Sequence, residues 1–128
     1  GDTFITLPIE TSKIYTNDTS VWTKFSEDVK NSKGNLFVFL DRNFISENET
    51  EVKIFKRLLE EQTKTRCVYV FGGGFVNSGT KENGVRYINT AGFFQSVPPD
   101  GTSIDYIKYL LVTVNGDLVT YEYKQAVN

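Results

Sequence analysis

The chain has 128 residues, 39% of them hydrophobic and 14% aromatic, and this length and composition predict one folded domain. Its 14 basic and 16 acidic residues nearly cancel, and the basic residues are scattered along the chain, so we expect no nucleic-acid partner. No apolar run approaches the roughly 20 residues that a membrane span needs, so we also expect a soluble molecule with no membrane contact.

The first half of the chain alternates strand and helix patterns. Residues Phe4 to Leu7 form a short β-rich run that Pro8 ends. Asp18 or Thr19 can cap a first helix that continues to Lys30, where stop signals follow. The apolar residues that recur at helical spacing within it are Val21, Trp22, Phe25 and Val29.

Two further strands are apolar on both faces, and a second helix lies between them. The strands run from Asn35 to Leu40 and from Cys67 to Phe71, a pattern typical of interior strands that are covered on two sides. The residues from Ser46 to Glu49 form a capping box that predicts the start of the helix. The apolar stripe of this helix consists of Val52, Phe55, Leu58 and Leu59.

The second half of the chain is rich in strands. A glycine-rich turn from Gly72 to Gly74 and the segment from Lys81 to Gly84 precede a strand from Val85 to Thr90. The chain then closes with a hairpin whose turn is Asn115-Gly116 or Gly116-Asp117. The predicted fold class is an α/β layered sandwich half, with a mixed sheet, two helices on one face and the order β-α-β-α-β-β-β-β.

Two helices can cover only one face of this sheet, so the second apolar face needs another cover. A second copy of the chain, a neighbouring domain or the remainder of a longer protein could supply it. A longer protein is expected because the chain has no methionine, even at position 1. The compartment stays open, with secretion and the cell surface among the alternatives.

The sequence contains no histidine, although two predicted strands run into turns of the kind that often carry catalytic groups. The turns are Asp41-Arg42-Asn43 and the segment from Gly72 to Asn77. Neither offers the imidazole that most often serves as a general base or metal ligand near neutral pH. Cys67, the only cysteine, is expected to be a small buried residue of its strand.

The order of elements and several local phrases resemble the C-terminal half of a calcineurin-like metallophosphoesterase. The segment from Asn35 to Phe44 resembles the strand that in this family ends in a metal-ligating histidine, and the segment from Val68 to Val76 resembles the strand before the family's "G-H-x-H" turn. The segment from Asn83 to Gly92 resembles the "G-V-x-Y-I-x-x-G-G" strand, and the segment from Tyr109 to Tyr123 resembles the closing hairpin. Trp22 resembles the family's tryptophan in the first helix.

The resemblance implies a single phosphoesterase-like domain over residues 1–128 whose metal site is degenerate. Asp41, Gly74 and Val76 stand where the family has histidines, and Gly73 stands on the family's glycine. Asp41 remains a weak candidate metal ligand, and we expect no cofactor and no catalytic residue. Arg42, Asn43 and Asn77 are the remaining candidate binding residues at these turns.

Three functions are compatible with these patterns. The favoured one is a non-catalytic phosphoesterase-like domain that acts as a scaffold or protein-interaction module, with another domain, another protein or a second copy bound through the second sheet face. The first alternative is the C-terminal part of a metal-dependent phosphoesterase with a reduced metal site. The second is a carbohydrate-binding surface built from the chain's tyrosines, although Tyr121 and Tyr123 share a strand face with Val119 and are expected to pack inward.

Overall fold

The computed structural model describes residues 1–7, 19–40, 49–74, 78–91 and 108–125. Within these ranges the chain forms two helices, α1 and α2, and seven strands, β1 to β7. In chain order they are β1 (Thr3–Leu7), α1 (Thr19–Lys30), β2 (Leu36–Leu40), α2 (Glu49–Gln62), β3 (Val68–Gly74), β4 (Ser78–Glu82), β5 (Val85–Ala91), β6 (Lys108–Asn115) and β7 (Leu118–Gln125).

The central layer is a five-stranded mixed sheet in the order β1-β2-β3-β5-β4. The pairs β1–β2, β2–β3 and β3–β5 are parallel, and β4 joins the edge of β5 antiparallel. The predicted α/β class with a mixed sheet, and the alternation of strands and helices in the first half, are therefore confirmed.

Both helices pack on one face of this sheet, as their apolar stripes predict. Phe25 and Val29 of α1 and Phe55 and Leu59 of α2 are buried against alternate residues of the parallel strands, and Trp22 packs at the margin. The rings of Phe25 and Phe55 stack at 5.9 Å between centroids, so the two helices also contact each other. No helix in the described ranges is long and apolar enough to cross a membrane.

The second face of the sheet is covered in part by the chain's own hairpin. Strands β6 and β7 form a separate antiparallel pair. Their inward residues pack on a second cluster of buried side chains contributed by β2, β3 and β5. The inward residues are Leu110, Val112, Val119, Tyr121 and Tyr123, and the buried cluster is Phe37, Tyr69, Phe71 and Ile88. The molecule thus supplies part of the cover that the sequence led us to seek elsewhere, and the inward packing predicted for Tyr121 and Tyr123 is confirmed.

The structure contains one strand that the sequence analysis missed. Residues 78–82 form β4, which pairs with β5 through a two-residue turn at Asn83 and Gly84. Both turn residues have positive φ, at 48° and 87°, as the hairpin turn of type I′ requires. The second hairpin turns at Gly116-Asp117, the latter of the two predicted positions, with Gly116 at a φ of 61°.

Two local predictions are wrong. Residues Gly72 to Gly74 were expected to form a turn, but they continue β3 opposite Asn89, Thr90 and Ala91 of β5, whose main chain supplies their ladder partners. Cys67 was expected to be buried, but it is exposed and lies one residue before β3. Its carbonyl accepts a hydrogen bond from the Leu36 amide at 2.8 Å, so its main chain, and not its side chain, contributes to the sheet.

Candidate functional site

Of the positions that the family resemblance singled out, the described residues include Gly73 and Gly74, at the carboxyl end of β3. Gly73 and Gly74 are the last residues of β3 and pair with Thr90 and Ala91. Strand β2 ends at Leu40, one residue after Phe39, and Phe39 pairs with Phe71 of β3. Asp41, Arg42, Asn43, Val76 and Asn77 lie outside the described residues. The carboxyl ends of β2 and β3 themselves are adjacent in the sheet.

The hairpin crosses the second sheet face diagonally, because hydrogen bonds anchor its two ends at different strands. At the turn, Nδ2 of Asn35 donates to the carbonyl of Gly116 at 3.1 Å, just before β2 begins. At the other end, the Tyr123 hydroxyl lies 2.7 Å from the Asn89 carbonyl and 2.9 Å from the Ser78 carbonyl. Its one proton can be donated to either carbonyl. This path runs from the amino end of β2 to β4 and the carboxyl end of β5.

The opposite corner of this face carries exposed aromatic side chains. Phe4 of β1 is 64% exposed and Phe39 of β2 is 37% exposed, and their nearly parallel rings have centroids 6.5 Å apart. Beside them on the same face, Phe4 stacks on its cross-strand partner Phe37 at 4.9 Å, and Phe39 stacks on its cross-strand partner Phe71 at 5.1 Å. We call Phe4 and Phe39 the aromatic corner. It is an exposed apolar surface that continues a row of stacked, buried rings.

The aromatic corner borders an unpaired sheet edge. No strand in the described ranges pairs with the outer side of β1. The Thr3 amide donates to the Asn35 carbonyl at 2.9 Å, so by the alternation of a parallel ladder the main-chain groups of Phe4 and Thr6 point away from β2. The sequence of β1 contains no charged residue and no proline, which are the features that commonly block pairing at an edge strand.

The tyrosines of the described ranges do not form one exposed surface. Tyr121 and Tyr123 face the sheet, and their rings meet edge to face with centroids 6.1 Å apart. Tyr87 is buried on the helix side, whereas Tyr109, at 40% exposure, lies on the outer face of the hairpin. This scatter leaves no shared platform of tyrosine rings among the described residues.

The described residues contain no group of three or more histidine, cysteine, aspartate or glutamate side chains placed to hold a metal ion. No family model, no curated protein and no solved structure matches the chain. The function is therefore argued from the geometry of the chain itself.

The aromatic corner was not predicted from the sequence. The second face was expected to be covered by a second copy, a neighbouring domain or the remainder of a longer protein, and the position of the chain's own hairpin on that face was not predicted. The signal in the sequence was Phe4 together with two strands that are apolar on both faces. Once the parallel register of these strands is known, their aromatic residues are seen to lie next to one another on one face.

Proposed function

We propose that this chain is a non-catalytic metallophosphoesterase-like domain that serves as a scaffold or protein-interaction module, and that its partner at the aromatic corner is a second copy of the same chain. The observation that carries the proposal is the 64% exposure of Phe4 on an edge strand whose outer main-chain groups have no partner strand among the described residues. An aromatic side chain placed beside unpaired main-chain groups favours association by strand addition.

The non-catalytic part of the proposal rests on the sequence. The resemblance assigns metal ligation to histidines at the carboxyl ends of two strands, and this chain has no histidine at any position. Asp41 is the one carboxylate at the matched positions, and one carboxylate beside Arg42 does not supply the ligand set of a two-metal centre.

The sequence of β1 suits pairing with itself. In an antiparallel pair centred on Ile5, Phe4 of each copy would lie opposite Thr6 of the other, and the outward groups of these residues would form roughly four main-chain hydrogen bonds. Such a pair brings the two aromatic corners onto one continuous face. The strand carries no charge, so no like-charge contact opposes the pairing.

Sedimentation velocity over a range of protein concentrations tests this association. We expect the wild-type chain to form dimers as the concentration rises and Thr6→Pro to stay monomeric, because proline removes an outward N–H that β2 does not use. Thr6→Val is the matched control, since it keeps the N–H and the β-branched shape, and it should dimerise like the wild type.

Circular dichroism of the three proteins establishes that each is folded. Hydrogen exchange on the wild type provides a test without a substitution: the amides of Phe4 and Thr6 should exchange about tenfold more slowly at high than at low concentration. A wild-type chain that remains monomeric at every concentration, with no such protection, would refute the second copy as partner.

A further inference from the structure

A row of cationic side chains lies at the amino end of the sheet, away from the strand ends of the family resemblance. Lys81 of β4 and Arg86 of β5 are direct cross-strand partners and so project from the same face, and Arg86 is in turn the register partner of Tyr69. Together with Arg66, which precedes β3, they line a cavity of about 280 Å³. Three cationic side chains therefore line one small cavity.

Among the described residues, no carboxylate neutralises these cations. Within the same residues, the cavity lining contains no acidic side chain, and no ion pair involves Arg66, Lys81 or Arg86. Glu82, next to Lys81 in sequence, points to the other face, where its carboxylate lies 2.6 Å from Nζ of Lys56. The acid closest in sequence is thus engaged elsewhere.

This arrangement has a cost when the cavity is empty. Like charges directly opposite each other on neighbouring strands destabilise the pair. Among the described residues, Nε of Arg66 is also buried without an acceptor, and the guanidinium makes one long hydrogen bond, 3.5 Å from Nη1 to the Gly34 carbonyl. A buried donor without a partner is unfavourable unless a bound group supplies the acceptor.

We propose that this cavity binds a small phosphate-type oxyanion, such as the phosphate group of a monoester. The three cationic side chains match the charge and the several acceptor oxygens of such a group, and an arginine guanidinium can donate two hydrogen bonds to one phosphate group. The volume suits a small ion or a single phosphate group, since it lies below the usual range for drug-sized ligands. This site goes beyond the proposed association function and does not depend on it.

Isothermal titration with inorganic phosphate, against chloride at equal ionic strength, tests the site on the whole chain. We expect saturable binding of phosphate to the wild type and a loss of about tenfold or more in affinity for Arg86→Gln and for Lys81→Gln, since each removes one charged donor. Lys30→Gln is the matched control, because it removes one positive charge from the exposed end of α1 in the helix layer, and its affinity should be unchanged.

Thermal unfolding at low salt without phosphate supplies a second signature. Arg86→Gln and Lys81→Gln should each raise the melting temperature, because each relieves the repulsion between cross-strand partners, whereas phosphate should raise it for the wild type and for Lys30→Gln only. Equal stabilisation by chloride and phosphate at matched ionic strength would overturn the proposal. Phosphate affinity in both cavity variants equal to that of Lys30→Gln would overturn it as well.

Discussion

Tyr87 is a titratable residue whose burial in the core opposes the ionisation of its hydroxyl. Its side chain is 7% exposed in the core between helices and sheet, and its hydroxyl has no hydrogen-bond partner among the described residues. Burial raises its pKa well above the ordinary value of 10.0, and the carboxylates of Glu60 and Glu82 add to the shift. The folded chain therefore holds this proton more tightly than the unfolded chain does.

The raised pKa of Tyr87 makes the free energy of unfolding depend on pH in the alkaline range. Because the pKa is higher in the folded state, its contribution to stability is full below about pH 10 and decreases as the pH rises above that value, by up to about 1.4 kcal/mol per pH unit. Burial raises the pKa of Tyr69 in the same direction.

We expect Tyr87→Phe to match or slightly exceed the wild-type stability at pH 7, because it removes a hydroxyl that has no partner. Above pH 10 its free energy of unfolding should decrease less steeply than that of the wild type. Urea unfolding at a series of pH values measures both slopes. Parallel slopes for the two proteins would show that Tyr87 does not ionise on unfolding as argued.

Among the elements, the hairpin β6–β7 decides how much of the sheet is exposed, and its docking depends on a close approach at Gly79. A β-carbon at that position would overlap the hydroxyl of Tyr121 while remaining in ordinary contact with the ring carbon at 3.4 Å. Tyr121 packs with the second buried cluster, so its ring has little freedom to retreat.

Gly79→Ala should therefore destabilise the chain by about 1 kcal/mol, after allowance for the entropy that alanine removes from the unfolded state. The double variant Gly79→Ala with Tyr121→Phe should recover most of that loss, because it removes the overlapping oxygen, and Tyr121→Phe alone should be nearly neutral. Chemical unfolding of the four proteins provides the measurement. A double variant as unstable as the single Gly79→Ala would place the strain elsewhere.

The sequence was sufficient to predict the two helices, the interior strands β2 and β3 and the final hairpin, because each carries a clear apolar period or turn signal. It did not reveal β4, whose residues Ser78 to Glu82 have little intrinsic strand preference and pair only because Asn83-Gly84 turns them onto β5. The extension of β3 through three glycines was missed for a related reason, since the ladder with β5, and not local propensity, sets the end of that strand.

The aromatic corner and the basic cavity could not be predicted from the sequence. Both depend on register, since successive partners across the five strands bring the residues of one row together; these residues are Phe4, Phe37, Tyr69, Arg86 and Lys81. A residue pattern shows which face of one strand is apolar, but it does not align that strand with its neighbours.

In the whole molecule, one row of the sheet joins these two surfaces. The aromatic corner lies at the β1 end of the row and the cationic cavity at the β4 end. The hairpin packs on the buried residues between them. The carboxyl ends of β2 and β3, which resemble the family's metal-binding strand ends, lie next to Phe39 of the aromatic corner and away from the cationic cavity. We propose that the chain uses this fold for association and does not carry out the metal chemistry of the family it resembles.

The most direct measurement is hydrolysis of a chromogenic phosphodiester by the chain in the presence of Mn²⁺, Fe²⁺ or Zn²⁺, with Asp41→Asn as the matched variant. We expect both proteins to give the rate of the metal ion in buffer alone, because one carboxylate without histidines does not form a two-metal centre. Saturable turnover that rises with protein concentration and is lost in Asp41→Asn would contradict the account and establish a reduced but working metal site.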